Sequence, residues 1–222
     1  MDISKLKPVG QMNMKQISDG KPIYENLIEM SKNPMKYNEE LLMKIIDDNK
    51  DTEFGKKHNF KDIKTIEDYR KNVPLTTYDD YVEYIIRMTE NDEKNLISAY
   101  NIDHYAKSSG TMGNPKKIPV SDISQQVNGK YNLAFRTAVI AKELGIDWIN
   151  EPIFNLAESN VTTLKNGASY GAISGKIILR MGDALPLFFT SPIEALVPDP
   201  STNTRYIHSL FGLMKEDVTS IT

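Results

Sequence analysis

There is no cysteine among the 222 residues of this sequence. That excludes disulfides, thiolate metal sites and cysteine nucleophiles together, and it suits a reducing compartment. Histidine is nearly as scarce. His58, His104 and His208 stand singly, none at i, i+4 from another or beside the glutamate of a zinc helix motif, so they predict no metal site. No stretch approaches the roughly 18 consecutive apolar residues of a membrane helix. The segment Met1–Gly20 is polar and lysine-bearing, without the apolar run of a signal peptide. The formal net charge of −3 gives no cationic excess to draw the chain to nucleic acid or an anionic membrane. A soluble, cytoplasmic protein is the expectation, with neither nucleic acid nor membrane as a partner. What is present, 40% hydrophobic and 26% charged residues, suffices for a folded core.

From Ile23 to Lys50, Tyr24, Leu27, Ile28, Met35, Leu41, Leu42, Ile45 and Ile46 recur at helical spacing, and Pro34 splits the run into two predicted helices. Another helix is predicted over Thr65–Val73. Thr77-Tyr78-Asp79-Asp80 reads as a capped helix start, followed by an apolar face of Tyr81, Ile85 and Met88. Beyond the polar connector Asn91–Ala99 the pattern changes. Ile102–Ala106 predicts a strand, and Ile118-Pro119-Val120 an edge strand, because proline cannot donate to a ladder. Asp122–Leu144 predicts a long helix closed by Gly145. Pro152–Ala157 and Lys176–Arg180 read as strands, and Thr204–Met214 as a helix. The alternation predicts an α/β fold: a helical part over 1–90, then a loop-bearing α/β part over 100–222, with helices packed on mixed sheets. Val218–Thr222 reads as the start of a further strand, so a piece of a longer protein is expected.

The segment that carries chemistry is Ser108-Ser109-Gly110-Thr111-Met112-Gly113-Asn114-Pro115-Lys116-Lys117. Gly110 and Gly113 let the backbone approach an anion closely, and successive N–H groups in such a turn converge into a nest. The hydroxyls of Ser108, Ser109 and Thr111 donate further bonds, stronger to a charged acceptor, and Lys116 adds a full positive charge. At 4 Å and an effective dielectric near 20, that charge is worth about 4 kcal/mol before desolvation. The loop is not the P-loop of kinases and GTPases, which needs Gly-Lys followed by a hydroxyl residue; here Pro115 precedes the lysine and Lys117 follows it. A plain Ser/Gly surface turn has the same composition, and on residue chemistry alone both readings stay open.

The segment is similar to the signature of the adenylate-forming superfamily: two small or hydroxyl residues, Gly, Ser or Thr, another small or hydroxyl residue, Gly, any residue, Pro, Lys. Met112 alone departs from it. Thr52–His58, Tyr69–Tyr81, Phe189-Thr190-Ser191-Pro192 and the stretch from Arg205 through Leu213 resemble landmarks of the auxin-responsive Gretchen Hagen acyl acid–amido synthetases, a likeness running from about Asn49 to Leu213. This resemblance implies the N-terminal portion of an adenylation domain. It also implies an ATP- and magnesium-dependent ligase that activates a small carboxylic acid as acyl-adenylate and joins it to an amino acid. It assigns Ser108, Ser109, Gly110, Thr111, Met112, Gly113 and Lys116 to the phosphates of ATP, with Lys116 as the catalytic residue.

Two elements of that family are missing. No adenine-contacting Tyr-x-x-Ser-Glu occurs, and Arg180-Met181-Gly182-Asp183 only imitates the ribose-contacting element, reading instead as a strand end and turn. The chain alone is therefore expected to be inactive, and a non-catalytic nucleotide- or partner-binding remnant of the same fold is the alternative. Trp148 reads as core packing, Phe188-Phe189 as either the border of an acyl pocket or a core strand, and Glu90–Glu93 as a solvated loop.

Overall fold

The computed structural model describes residues 2–108, 115–154, 160–190, 206–207, 210, 214 and 220–221. Helix α1 (Pro8–Met30) begins well before Ile23, with Pro8 at its first turn, and runs through Pro22. Its glycines mark close packing rather than a break. A Cβ on Gly20 would meet the Ala134 carbonyl oxygen at 1.9 Å, and one on Gly10 would meet Asn150 Oδ1 at 2.2 Å. Asn13 Nδ2 donates to the Ile149 carbonyl at 2.9 Å, tying the same face down. Helix α2 (Pro34–Asn49) follows the turn before Pro34, where Asn33 accepts from the Lys36 N–H.

The short helix α3 (Glu53–Lys57) is capped by Thr52, whose Oγ1 accepts from the Gly55 N–H at 2.9 Å. Its next free donors, the N–H groups of Glu53 and Phe54, go to the Asn95 and Leu96 carbonyls at 2.9 and 2.8 Å. The polar connector therefore docks on a helix end and satisfies it. A capping box of Thr65 and Asp68 starts α4 (Ile66–Asn72). The Thr77 start leads through a 3-10 turn, Tyr78–Tyr81, into α5 (Val82–Glu90). There the Asp80 carboxylate accepts from the Thr77 N–H at 2.6 Å and from its hydroxyl at 3.1 Å, and Asp80's own N–H goes to the Thr77 carbonyl.

Strand β1 (Ile102–Lys107) pairs antiparallel with β2 (Lys117–Ser121), as expected for a hairpin, and Pro119 lies on the sheet edge. The stretch Asp122–Leu144 is continuously helical: α6 (Asp122–Asn128), a π-helical segment (Gly129–Phe135) against which α1 packs, and α7 (Arg136–Leu144), closed by Gly145 at φ 76°. Then come β3 (Ile153–Phe154), β4 (Val161–Thr163) and β5 (Ser169–Gly171). The main sheet is mixed, in the order β2-β1-β5-β4, with β1 and β5 parallel and the outer pairs antiparallel. Lys176–Arg180 is not a strand. It belongs to helix α8 (Ile173–Met181), and a short apolar run cannot separate the two by periodicity alone. β6 (Ser220–Ile221) pairs with β3. Of the segment Thr204–Met214, Tyr206, Ile207 and Leu210 are helical and the rest lies mostly outside the described residues.

Two clusters hold the first half together. Tyr84, Ile85 and Met88 of α5 pack with Leu96, Tyr105 and Ala168 against the sheet, and Ile46, Phe60 and Ile63 form the second cluster. Phe54 belongs to both, its ring 5.7 Å from Tyr81, 6.4 Å from Tyr84 and 5.9 Å from Phe60. The Thr52–His58 landmark is thus a packing hub. No helix among the described residues is long and apolar enough to cross a membrane.

Candidate functional site

Because β1 and β5 run parallel, the loop after β1 and the start of α8 leave the sheet at the same edge, with Ala106 opposite Gly171. The edge where strands end and helices begin is the usual ligand-binding side of open α/β sheets. The predicted phosphate loop is the hairpin connection there. Its tip, Ser109, Gly110, Thr111, Met112, Gly113 and Asn114, lies outside the described residues. Its two ends are well defined. The Ser108 N–H donates to the Lys116 carbonyl at 3.2 Å, and the Lys116 N–H donates to Ser108 Oγ at 2.8 Å. Ser108 and Lys116, twins in the sequence motif but eight residues apart, meet side by side at the neck.

This pairing leaves chemistry available. Ser108 Oγ receives one bond from the backbone, and among the described residues its own hydroxyl hydrogen has no acceptor, leaving a donor for a ligand. The Lys116 side chain is exposed, and its ammonium lies over the Tyr78 ring, 4.8 Å from the centroid. The Tyr78 hydroxyl accepts from the Lys117 N–H at 3.0 Å and donates to the Lys117 carbonyl at 3.4 Å. Tyr78 is a site neighbour that sequence reasoning passed over. The available signal was its place inside the Thr77–Asp80 cap, which fixes the turn carrying it. The two Thr77 donors hold the Asp80 carboxyl below its ordinary range, so the cap stays charged near neutral pH.

On the α6–α8 side of the sheet lies a second polar group. The register slips by one residue between Ile102 and His104, making Asp103 a bulge residue on β1. Its Oδ1 accepts from Lys176 Nζ at 2.7 Å and from Gln125 Nε2 at 2.9 Å, and Arg180 comes within 3.6 Å of Oδ2. Burial pushes this carboxyl up, but the Lys176 ammonium and the Gln125 amide outweigh it and hold it below the usual carboxylate range. Arg180 therefore serves this tie. Arg180-Met181-Gly182-Asp183 spans the end of helix α8 and the turn after it, not a strand end. His104, fully buried, pairs through Nδ1 with Ser169 Oγ at 2.8 Å.

The remaining sequence candidates resolve simply. Trp148 is half-buried and donates to the Gly145 carbonyl. Phe189 packs on Ile178 and Leu185 and bridges to Ile153, a core role. Glu90 and Glu93 are not merely solvated: Glu90 pairs with Lys165, and Glu93 shares Arg87 with Glu53. Among the described residues, no three His, Asp or Glu side chains gather to hold a metal.

The family model described as the GH3 family N-terminal domain matches residues 23–222. The chain is similar to an Arabidopsis thaliana 4-substituted benzoates-glutamate ligase, GH3.12, at 28% identity over 92% of this chain and 36% of that protein. It is similar to the probable indole-3-acetic acid-amido synthetase GH3.1 of the same organism at 30% identity over 84% of this chain and 32% of that one. The solved GH3.15 acyl acid amido synthetase has the same fold over 91% of this chain and 36% of its own, with a TM-score of 0.71 at 22% identity. The chain spans about a third of the length of these relatives.

Proposed function

The chain belongs to the GH3 family, and on that premise we propose that its β1–β2 loop holds the phosphates of ATP within an acid–amino acid ligase. The relatives named above act as ligases joining acids to amino acids or as acyl acid amido synthetases. The proposed reaction has two steps. A carboxylate oxygen of the acid attacks the α-phosphorus of ATP, and the bond to the β-phosphate breaks to release pyrophosphate. The amine of an amino acid then attacks the acyl carbon, loses a proton, and AMP leaves.

The residues' share is positioning and charge neutralisation. Ser108, Ser109 and Thr111 donate hydroxyls, Gly110 and Gly113 let backbone amides approach, and Lys116 neutralises charge gathering on departing pyrophosphate. Met112 offers no side-chain donor. Magnesium would arrive with the nucleotide and supply charge neutralisation on its phosphates, since Mg²⁺ commonly keeps its waters and takes few protein ligands. The observation that carries the reading is the neck of the hairpin, where the Ser108 hydroxyl and the Lys116 chain are joined at 2.8 Å beside the edge from which α8 starts.

Calorimetric titration of this chain with Mg·ATP tests it. Wild type should bind, and Lys116→Ala should weaken binding by about tenfold or more, the scale of one lost charge-assisted contact. Indistinguishable heats from the two proteins would remove the loop from the site. Pyrophosphate release in the presence of candidate acids then separates ligase from remnant, a distinction raised by the chain's one-third coverage of its relatives. Binding without release over a broad acid panel assigns the chain to nucleotide binding alone.

A further inference from the structure

We propose that Tyr78 is the positioning residue of the phosphate loop, holding its far end in register through the hydroxyl and staging the Lys116 ammonium on its ring. This rests on the phosphate-binding reading above and deepens it.

The argument begins with the strand edge. In an antiparallel pair, residues alternate between those that bond across and those whose N–H and C=O face outward. Ser108 and Lys116 bond across the neck, so the backbone groups of Lys117 face away from β1. Among the described residues, β2 is an edge strand with no strand on that side. The Tyr78 hydroxyl takes both outward groups of Lys117, at 3.0 and 3.4 Å, as a neighbouring strand would. One phenol thereby pins the residue immediately after the phosphate lysine.

The ring completes the arrangement. An exposed lysine ordinarily samples many rotamers, and that freedom is lost when it binds. Here the ammonium sits 4.8 Å from the centre of the Tyr78 ring, inside the range of a cation–π contact. Such a contact is weak enough at an exposed position to yield to a phosphate, and it keeps the charge at the neck meanwhile. The ring itself is anchored. Tyr78 packs against the cluster of Tyr84, Ile85, Met88 and Tyr105, and the Thr77–Asp80 cap fixes its backbone. A residue tied to the core thus reaches across to the loop's charged end.

The experiment uses the 222-residue chain with two readouts. The first needs no ligand. In ¹³C-lysine-labelled protein, the Lys116 ε-methylene resonance, assigned by its loss in Lys116→Ala, should be shifted upfield by the ring. Tyr78→Phe should keep that shift and accelerate exchange of the Lys117 amide hydrogen, whereas Tyr78→Leu should abolish the shift. The second readout is affinity for inorganic tripolyphosphate. Tyr78→Leu should weaken it about three- to tenfold, and the Tyr78→Leu/Lys116→Ala double variant should bind no more weakly than Lys116→Ala alone, the coupling expected of residues acting through one another. Losses that multiply in the double variant overturn the proposal, because a residue acting only through the fold would give that result. An unshifted Lys116 resonance in wild type overturns it as well. A shifted resonance in a wild type that binds no tripolyphosphate overturns instead the phosphate-binding reading, and with it any role for Tyr78 in the site. Should Tyr78→Leu not fold, Tyr78→Phe decides: unchanged Lys117 exchange and unchanged affinity sink the clamp.

Discussion

His104 shows no exposed surface, and its imidazole stands on β1 beside the bulge at Asp103 and opposite Ser169. Burial pushes its pKa below the ordinary 6.5, and the Lys176 charge adds to that, while Asp103 opposes it. The sign follows from proton uptake. As pH falls through 6.5 the unfolded chain takes up a proton that the folded chain refuses, so stability falls with pH below that point and is unaffected above it. Asp103, with its folded value depressed from 3.8, acts only at more acid pH and leaves the His104 window separate. Urea midpoints measured from pH 7.5 to 5 should therefore decline more steeply for wild type than for His104→Gln. Parallel curves would remove His104 as the cause. At Gly20 two effects compete. Alanine in a helix interior gains up to about 1 kcal/mol over glycine, but here its Cβ would lie 1.9 Å from a backbone oxygen of Ala134, an atom that cannot swing aside. Overpacking wins, and Gly20→Ala should cost roughly 1–3 kcal/mol in chemical denaturation. A stabilised variant would mean that α1 does not approach the π-helical segment so closely.

Among the elements, α3 ties together parts of the fold far out of proportion to its five residues. Five residues cannot hold a helix by propensity. This one survives because Thr52 caps it, Asn95 and Leu96 satisfy its first amides, and Phe54 enters both clusters. Phe54→Ala should accordingly cost about 3 kcal/mol, and it should accelerate exchange of the α3 amides together with those of α5. A loss confined to α3 would show that the two clusters are independent. The helix α8 makes the opposite point. Ile177 and Leu179 are 45% and 49% exposed while Ile178 is buried, so the run that suggested a strand is a helix with an outer face. Besides the packing of Ile178 on Leu185, the Lys176–Asp103 pair ties α8 to β1, a contact 73 residues apart that no local pattern announces.

At the scale of the molecule, α1 joins the start of the chain to its middle. Gly10, Asn13 and Gly20 meet Asn150, Ile149 and Ala134, and Tyr24 stacks on Phe135. A chain beginning at Ile23, where the family match starts, loses the first three of these contacts. Its thermal midpoint should drop by several degrees, with about 4–8 °C expected per kcal/mol in a small domain and less in a larger one. An unchanged midpoint would show that residues 1–22 only decorate the fold.

Local chemistry in the sequence was enough for much of this protein. The helix starts at Thr65 and Thr77, the split at Pro34, the edge strand with Pro119 and the helical run closed by Gly145 each follow from a cap, a missing donor or a φ preference acting within a few residues. The proposed phosphate loop can be read from the sequence for the same reason, since its hydroxyls, glycines and lysine are neighbours in the chain. Only the tertiary structure decided that α1 passes through Pro22, that Lys176–Arg180 is helical, and that Tyr78 meets Lys116. In each of those cases the partner lies far away in sequence: a carbonyl on a facing helix, a carboxylate on a bulged strand, a ring held by another element's core. Sequence spacing carries no information about such partners until the chain has folded.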